Sequence, residues 1–351
     1  QKGHMRLHAR SLVAAAGVAG DRFDEAVEEL IAGGEISEMR AREIAAKLEK
    51  QRPIDDTPMG VAAGKVIMLG EHAAVYGKHA LALPIAGGVT ATVKEAAGLT
   101  LEVPDWGLSS SISPDGGGVD AAVRRILENL GVGREGFSIR VRSALPRGMG
   151  LGSSAAFAVA IVRAFDTLLG LSLDDDRVNE IAFDCEKLAH GNPSGVDNTL
   201  ATFARPMLFC RHESFVVEEL ELAKRPPVVV ACSQQPGVTH EQVAGVRKRH
   251  DARPAAFDAI FDQIDALSVA GAKALVAGDY TELGQLMNIC HGLLTALGVS
   301  TPELERMIEI ARRAGAAGAK LTGAGGGGSI VAACPGTVSE VVAALRSAGY
   351  S

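Results

Sequence analysis

Hydrophobic and polar positions divide the chain into two textures. Over residues 1–52 apolar positions recur at three- and four-residue steps: Phe23, Val27, Leu30 and Ile31, then Ile44 and Leu48. This spacing predicts three short helices, over 5–16, 21–32 and 37–51. Asp21 and Ser37 suit the N-caps of the second and third, and Gly17 and Gly33-Gly34 close the first two. Arg52-Pro-Ile-Asp-Asp-Thr-Pro58 then breaks the pattern with prolines and acids, which predicts a linker over 53–59.

From about Val61 the pattern changes to strands, glycine loops and longer helices. Dense β-branched positions predict strands over 64–69 and 89–93. Helices are predicted over 153–169 and 173–189, the latter with Asp174, Asp175 and Asp176 at its positive N-terminal end. Pro226-Pro227 marks a further boundary, so one domain is expected over 60–225 and a second over 226–351. The second begins with an apolar strand over 228–231. Helices near 255–275, 280–296 and 302–314 follow, then a glycine-rich loop and the strand pattern Ser329-Ile-Val-Ala-Ala333. The sequence contains no 20–50-residue repeat and no low-complexity tract.

Composition narrows the function classes. The 351 residues are 47% hydrophobic and 22% charged, a globular balance long enough for two or three domains. Aromatics are only 4% while Gly numbers 41, which disfavours a base-stacking nucleic-acid platform. A net charge of -7 leaves no basic footprint for nucleic acid or an anionic membrane. No apolar run reaches the roughly 18 residues that span a bilayer, and no signal-peptide core is present. Five widely spaced cysteines without a CxxC pair read as thiols of a reducing compartment, so a soluble cytoplasmic protein is expected.

Four stretches carry chemistry. In Pro146-Arg-Gly-Met-Gly-Leu-Gly-Ser-Ser-Ala-Ala156, Gly148, Gly150 and Gly152 permit tight turns and close ligand approach. Ser153 and Ser154 then open an apolar helix whose free N–H groups suit a polyphosphate, although a capped glycine turn has the same letters. No GK[ST] follows, so this is not a Walker loop. In Glu186-Lys-Leu-Ala-His-Gly-Asn-Pro-Ser-Gly-Val-Asp197, two carboxylates flank a turn, one at a helix end and one near the next helix start. Such a pair can divide metal binding from proton handling, or be a surface charge and an N-cap. Gly64-Lys-Val-Ile-Met-Leu-Gly-Glu-His72 is a strand entering a loop, with Lys65 at its start and Glu71 and His72 after a glycine. Lys65 is alternatively a solvated edge residue. Lys320-Leu-Thr-Gly-Ala-Gly-Gly-Gly-Gly-Ser329 fits GxGxxG by spacing, but a strand pattern follows where a dinucleotide fold needs a helix. It reads as a second loop wrapping the ligand, or as a flexible hairpin.

Together GKVIMLGEHAAVYGKHALALP, PRGMGLGSSAA, HGNPSGVDNT and KLTGAGGGG resemble the motifs of the GHMP small-molecule kinases, in family order across about 60–351. HGNPSGVD and GEHAAVYG are most similar to the mevalonate kinases of that superfamily. The resemblance implies an α+β, two-domain fold: a half like domain 2 of ribosomal protein S5, then a ferredoxin-like half, with the active site between. It implies transfer of the ATP γ-phosphate to the 5-hydroxyl of mevalonate. Asp197 would take or orient the hydroxyl proton, and Lys65 would stabilise charge beside it. Ser154 and Glu186 would hold Mg²⁺, while Gly148, Gly150, Leu151, Gly152, Ser153 and Ser154 would cradle the phosphates. Glu71, His72, Thr239, Gly325 and Gly326 match substrate-side positions.

Gly3-His-Met-Arg-Leu-His-Ala-Arg10 and the helices after it resemble the C-terminal tail of class II HMG-CoA reductase, His4 occupying the histidine of its GHM motif. The reductase's catalytic lysine, acids and nucleotide domain have no counterpart here. This all-helical appendage, too small for a robust core of its own, is expected to pack on the kinase body or a neighbouring chain. The resemblance leaves open a homodimer and contact with a reductase domain. The chain stops at Gly349-Tyr-Ser351, where one further strand is expected to complete the second domain, so a clipped C-terminal end is expected. Rival readings are another superfamily member, such as a phosphomevalonate or sugar kinase, and a non-catalytic tethering or dimerisation fragment.

Overall fold

A computed structural model describes residues 23–32, 37, 39, 41, 44, 59–133, 136–191, 193–211 and 215–351. The helix expected over 5–16, most of that over 37–51, the linker up to residue 58 and the Gly3-His-Met5 stretch lie outside them. The chain divides into a unit over 1–56 and a unit over 57–351. In the first, α1 (Phe23–Ala32) buries Ala26, Val27 and Leu30 on one face, as the helical spacing predicts. The Ala41 N–H donates to the Ser37 carbonyl (3.0 Å), an i to i−4 bond of the helical kind.

The second unit is built around a long antiparallel pair, β1 (Met59–Leu69) and β2 (Ala80–Glu95). The free edge of β2 is shared. Val89 to Glu95 pair with β5 (Phe137–Ser143), and Ala80 to Ala82 pair with β6 (Met207–Arg211). β3 (Thr100–Val103) joins β5 in parallel and carries β4 (Leu108–Ser111), while β7 (Phe215–Glu219) lies on β6, giving seven strands. The strands expected over 64–69 and 89–93 are thus the inner parts of longer ones. Alanines and Pro84 in Ala80-Leu-Ala-Leu-Pro-Ile85 conceal the first half of β2 from β-propensity.

The helices α2 (Val119–Leu130), α3 (Ser153–Leu169), α4 (Asp175–His190) and α5 (Val196–Phe203) accompany this sheet. In α3 every residue from Ala155 to Val162 is buried, so the helix is apolar nearly all round and runs through the core. The Asp174 carboxylate caps α4 by accepting from the Arg177 N–H (2.8 Å), as its acidic start predicts.

β8 (Val228–Cys232), β9 (Gly318–Thr322) and β10 (Ser329–Ala333) form an antiparallel sheet in the order β8-β10-β9. Its helices are α6 (Thr239–Ala252), α7 (Pro254–Ala277), α8 (Tyr280–Ala296), α9 (Pro302–Arg313) and α10 (Val338–Ser347). Among the described residues this sheet has three strands, and the Ser351 carbonyl accepts from Cys232 N–H (2.7 Å) at the edge of β8. Val66, Met68 and Leu69 of β1 belong to the same apolar cluster as β9, β10 and α8, so one core joins the two sheets. All five cysteines are free thiols, and no helix among the described residues is long and apolar enough to cross a membrane.

Candidate active site

The chain leaves β5, turns through Pro146 to Gly152 and enters α3 at Ser153. Three carbonyls of this loop are engaged from behind. Gly148 O accepts from Gly237 N–H (3.1 Å), Leu151 O from Lys65 N–H (2.9 Å), and Met149 O from the Ser329 hydroxyl (2.8 Å). At the front, Gly148, Gly150, Gly152, Ser153 and Ser154 line a cavity of about 670 Å³. No side chain caps α3, so its first-turn N–H groups are available to an anion. Glycine is required at two points. Gly152 has φ 74°, and a Cβ there would fall 2.8 Å from Lys65 Cγ. Gly150 has φ 73°, and a Cβ there would meet the Thr322 carbonyl at 3.1 Å. Leu151 turns the other way and is buried in the core.

Four charged or polar groups converge beside this loop. The Ser154 hydroxyl donates to Glu186 Oε1 (2.7 Å), linking α3 to the last turns of α4. Lys65 Nζ, on β1, pairs with Asp197 Oδ1 at 2.9 Å. The Lys65 side chain is 5% exposed and that of Asp197 34%, so the carboxylate keeps an open side. Asp197 stands in the first turn of α5, where no side chain caps the positive helix end. Burial, and then the Asp197 charge, push the Glu186 carboxyl up to about 7. Two acids held together in this way present hard oxygens that suit a divalent cation.

A second cavity, of about 720 Å³, lies across Asp197 from the first. Lys65, Glu186, His72, Thr239 and Ala324 are on its wall. His72 is a non-glycine residue at φ 62° whose Nε2 lies 2.9 Å from the Ala324 carbonyl. Because a carbonyl only accepts, Nε2 carries the proton, and burial lowers the ring to about 4. Glu71 reaches the same wall, but its carboxylate is engaged by buried Lys320. Burial pushes the Glu71 carboxyl up against the pull of that lysine. Of the second glycine loop only Gly323 and Ala324 reach this cavity. Gly325 and Gly326 sit behind it, the Gly326 N–H donating to Val299 O (2.8 Å), so the loop does not wrap the cavity as its sequence suggests.

Asp197, Thr239 and His240 line both cavities. Sequence reasoning missed His240, Arg247 and Lys248, all on the cavity face of α6. The available signal was the four-residue spacing of Thr239, Val243 and Arg247. Trp106, also missed, lines the first cavity between the Arg147 guanidinium and the Phe157 ring, each centred 5.6 Å away.

Comparison with known proteins matches residues 118–205 to the GHMP kinases N terminal domain and 272–351 to the GHMP kinases C terminal model. The chain is 37% identical over 285 residues to the mevalonate kinase of Methanothermobacter thermautotrophicus, covering 81% of itself and 93% of that relative. The chain belongs to the mevalonate kinases. Among solved structures, L. major mevalonate kinase in complex with R-mevalonate is similar at a TM-score of 0.72 and 30% identity. That match covers 84% of this chain and 94% of the other. The mevalonate kinase of Methanococcus jannaschii matches at a TM-score of 0.72 and 26% identity, over 85% and 98%. The α+β fold of the GHMP kinases, with its N- and C-terminal domains, is therefore that of this mevalonate kinase.

Proposed function

We infer that this kinase transfers the γ-phosphate of ATP to the 5-hydroxyl of (R)-mevalonate, with Asp197 at the transfer point. The observation that carries this reading is the meeting of two cavities at Asp197, one bordered by the glycine loop and the other by His72 and Arg247. Loop N–H groups and the start of α3 receive the phosphates, and the second cavity receives the acceptor. Arg247 and Lys248 offer cations to the mevalonate carboxylate. Asp197 accepts or orients the hydroxyl proton at its open carboxylate oxygen. Lys65 holds that carboxylate in place and adds positive charge beside the transferring group. The pair of buried Glu186 and exposed Ser154, with Asp197 adjacent, fits Mg²⁺, which when bound would neutralise phosphate charge. We place the boundary between the two kinase domains near Pro226-Pro227 and the enzyme in the cytoplasm, the latter supported by its free thiols.

The test is ADP release with Mg-ATP and one acceptor at a time. Arg247 and Lys248 would also suit a phosphorylated acceptor, so 5-phosphomevalonate and galactose belong beside mevalonate. Release that requires mevalonate supports the reading; release only with another acceptor overturns the substrate while keeping the fold. For residues 1–52 we propose kinship with the tail of HMG-CoA reductase, supported by Gly3-His-Met-Arg-Leu-His-Ala-Arg10 and by α1. NADPH oxidation with HMG-CoA is expected to be nil for this chain.

A further inference from the structure

The hydrogen bond between Ser329 and Met149 spans the molecule without touching either cavity. Ser329 opens β10, is wholly buried, and donates to the Met149 carbonyl at 2.8 Å. Its Oγ also lies 3.3 Å from Cys232 Sγ. A hydroxyl has one proton, and a carbonyl accepts more strongly than a thiol, so the proton goes to Met149.

The consequence follows from peptide geometry. In a planar trans peptide the C=O and the next N–H point in opposite directions. Fixing Met149 O toward β10 therefore aims the Gly150 N–H away from β10. Likewise, Gly237 N–H on Gly148 O sets the Met149 N–H, and Lys65 N–H on Leu151 O sets the Gly152 N–H. Three consecutive alternations of positive φ, at Gly148, Gly150 and Gly152, give this stretch little preference of its own. Its orientation is imposed from outside. Two of the ties are backbone to backbone; the third depends on one side chain.

We propose that Ser329 is a positioning residue for the nucleotide phosphates, holding the Met149–Gly150 peptide so that the Gly150 N–H faces the phosphate cavity. The inference rests on reading that loop as the phosphate site. It assigns to the C-terminal half a role in ATP binding exerted through the loop's backbone, without contact to the nucleotide.

The experiment measures ATP and adenosine affinity by calorimetry, and both Michaelis constants, for the whole chain and its variants. Ser329→Ala is expected to weaken ATP binding roughly tenfold, the scale of one unmade buried hydrogen bond. Adenosine affinity and the mevalonate KM stay as in the wild type, and Ser329→Thr, which keeps the hydroxyl, recovers most of the loss. Ser268→Ala is the control for stability. That hydroxyl is equally buried and donates to Ile264 O (2.8 Å) inside α7, so its loss lowers Tm and leaves ATP affinity intact. If Ser329→Ala does not fold, Ser329→Cys, near in shape and a weaker donor, carries the same expectation with a smaller loss. Unchanged ATP affinity in Ser329→Ala (or in Ser329→Cys where that variant replaces it), or a loss shared by adenosine and by Ser268→Ala, overturns the proposal. If the wild type binds ATP and Gly150→Val abolishes that binding, the phosphate-loop reading survives such a failure. If Gly150→Val has no effect, the phosphate-loop reading falls, and the role of Ser329 with it.

Discussion

At Asp197 the requirements are an ionised carboxylate, an open side and a fixed place. The side chain's 34% exposure supplies the second, and the Lys65 contact with the position in the first turn of α5 supplies the third. Asp197→Ala is expected to lower kcat by about 10² to 10⁴, the range for a general base, with folding retained by circular dichroism. His72 makes a second prediction. With its ring lowered to about 4, against 6.5 in an unfolded chain, the folded protein resists protonation between those values. His72 therefore contributes stability at neutral pH that is lost as pH falls from about 6.5 toward 4. ¹⁵N-edited NMR at pH 6 should show one histidine neutral with its proton on Nε2; a charged His72 at that pH would contradict the assignment. Lys65, Ser154, Glu186 and Asp197 were legible because each lies in a short string whose chemistry is local. Glu71 was not, because the partner that occupies its carboxylate, Lys320, is 249 residues away.

Elements differed in legibility for similar reasons. α3 closes on Gly170 and begins after Gly152, so its ends match those read from the sequence. β3 to β7 went unread, and a strand such as Leu108-Ser-Ser-Ser111 is held by its neighbours more than by propensity. The contact of β1 with β9 was equally hidden. There Thr322 Oγ1 lies 3.0 Å from both the N and the O of Ile67, and Lys320 reaches Glu71. Lys320 and Glu71 are almost wholly buried, so removing one leaves an uncompensated charge. Lys320→Met is expected to cost about 3–5 kcal/mol in urea denaturation, and Lys320→Met with Glu71→Leu to recover much of it. Equal loss in the single and double variants would show that packing, not charge, dominates.

Across the whole molecule, two sheets share one core and their loops meet around two cavities. The chain has a single tryptophan, and Trp106 lines only the first cavity, so its fluorescence reports on that cavity alone. Mg-ATP should shift its emission and mevalonate alone should not; the reverse would exchange the two cavities. On the proposed function, phosphate passes to the mevalonate 5-oxygen at Asp197. The most direct measurement is ³¹P and ¹³C NMR of the product from Mg-ATP and (R)-mevalonate, with wild type and Asp197→Ala side by side. A phosphomonoester coupled to the C5 methylene is expected in the wild type, and little or none in the variant over the same time. Phosphate on another oxygen, or equal product from Asp197→Ala, would contradict it.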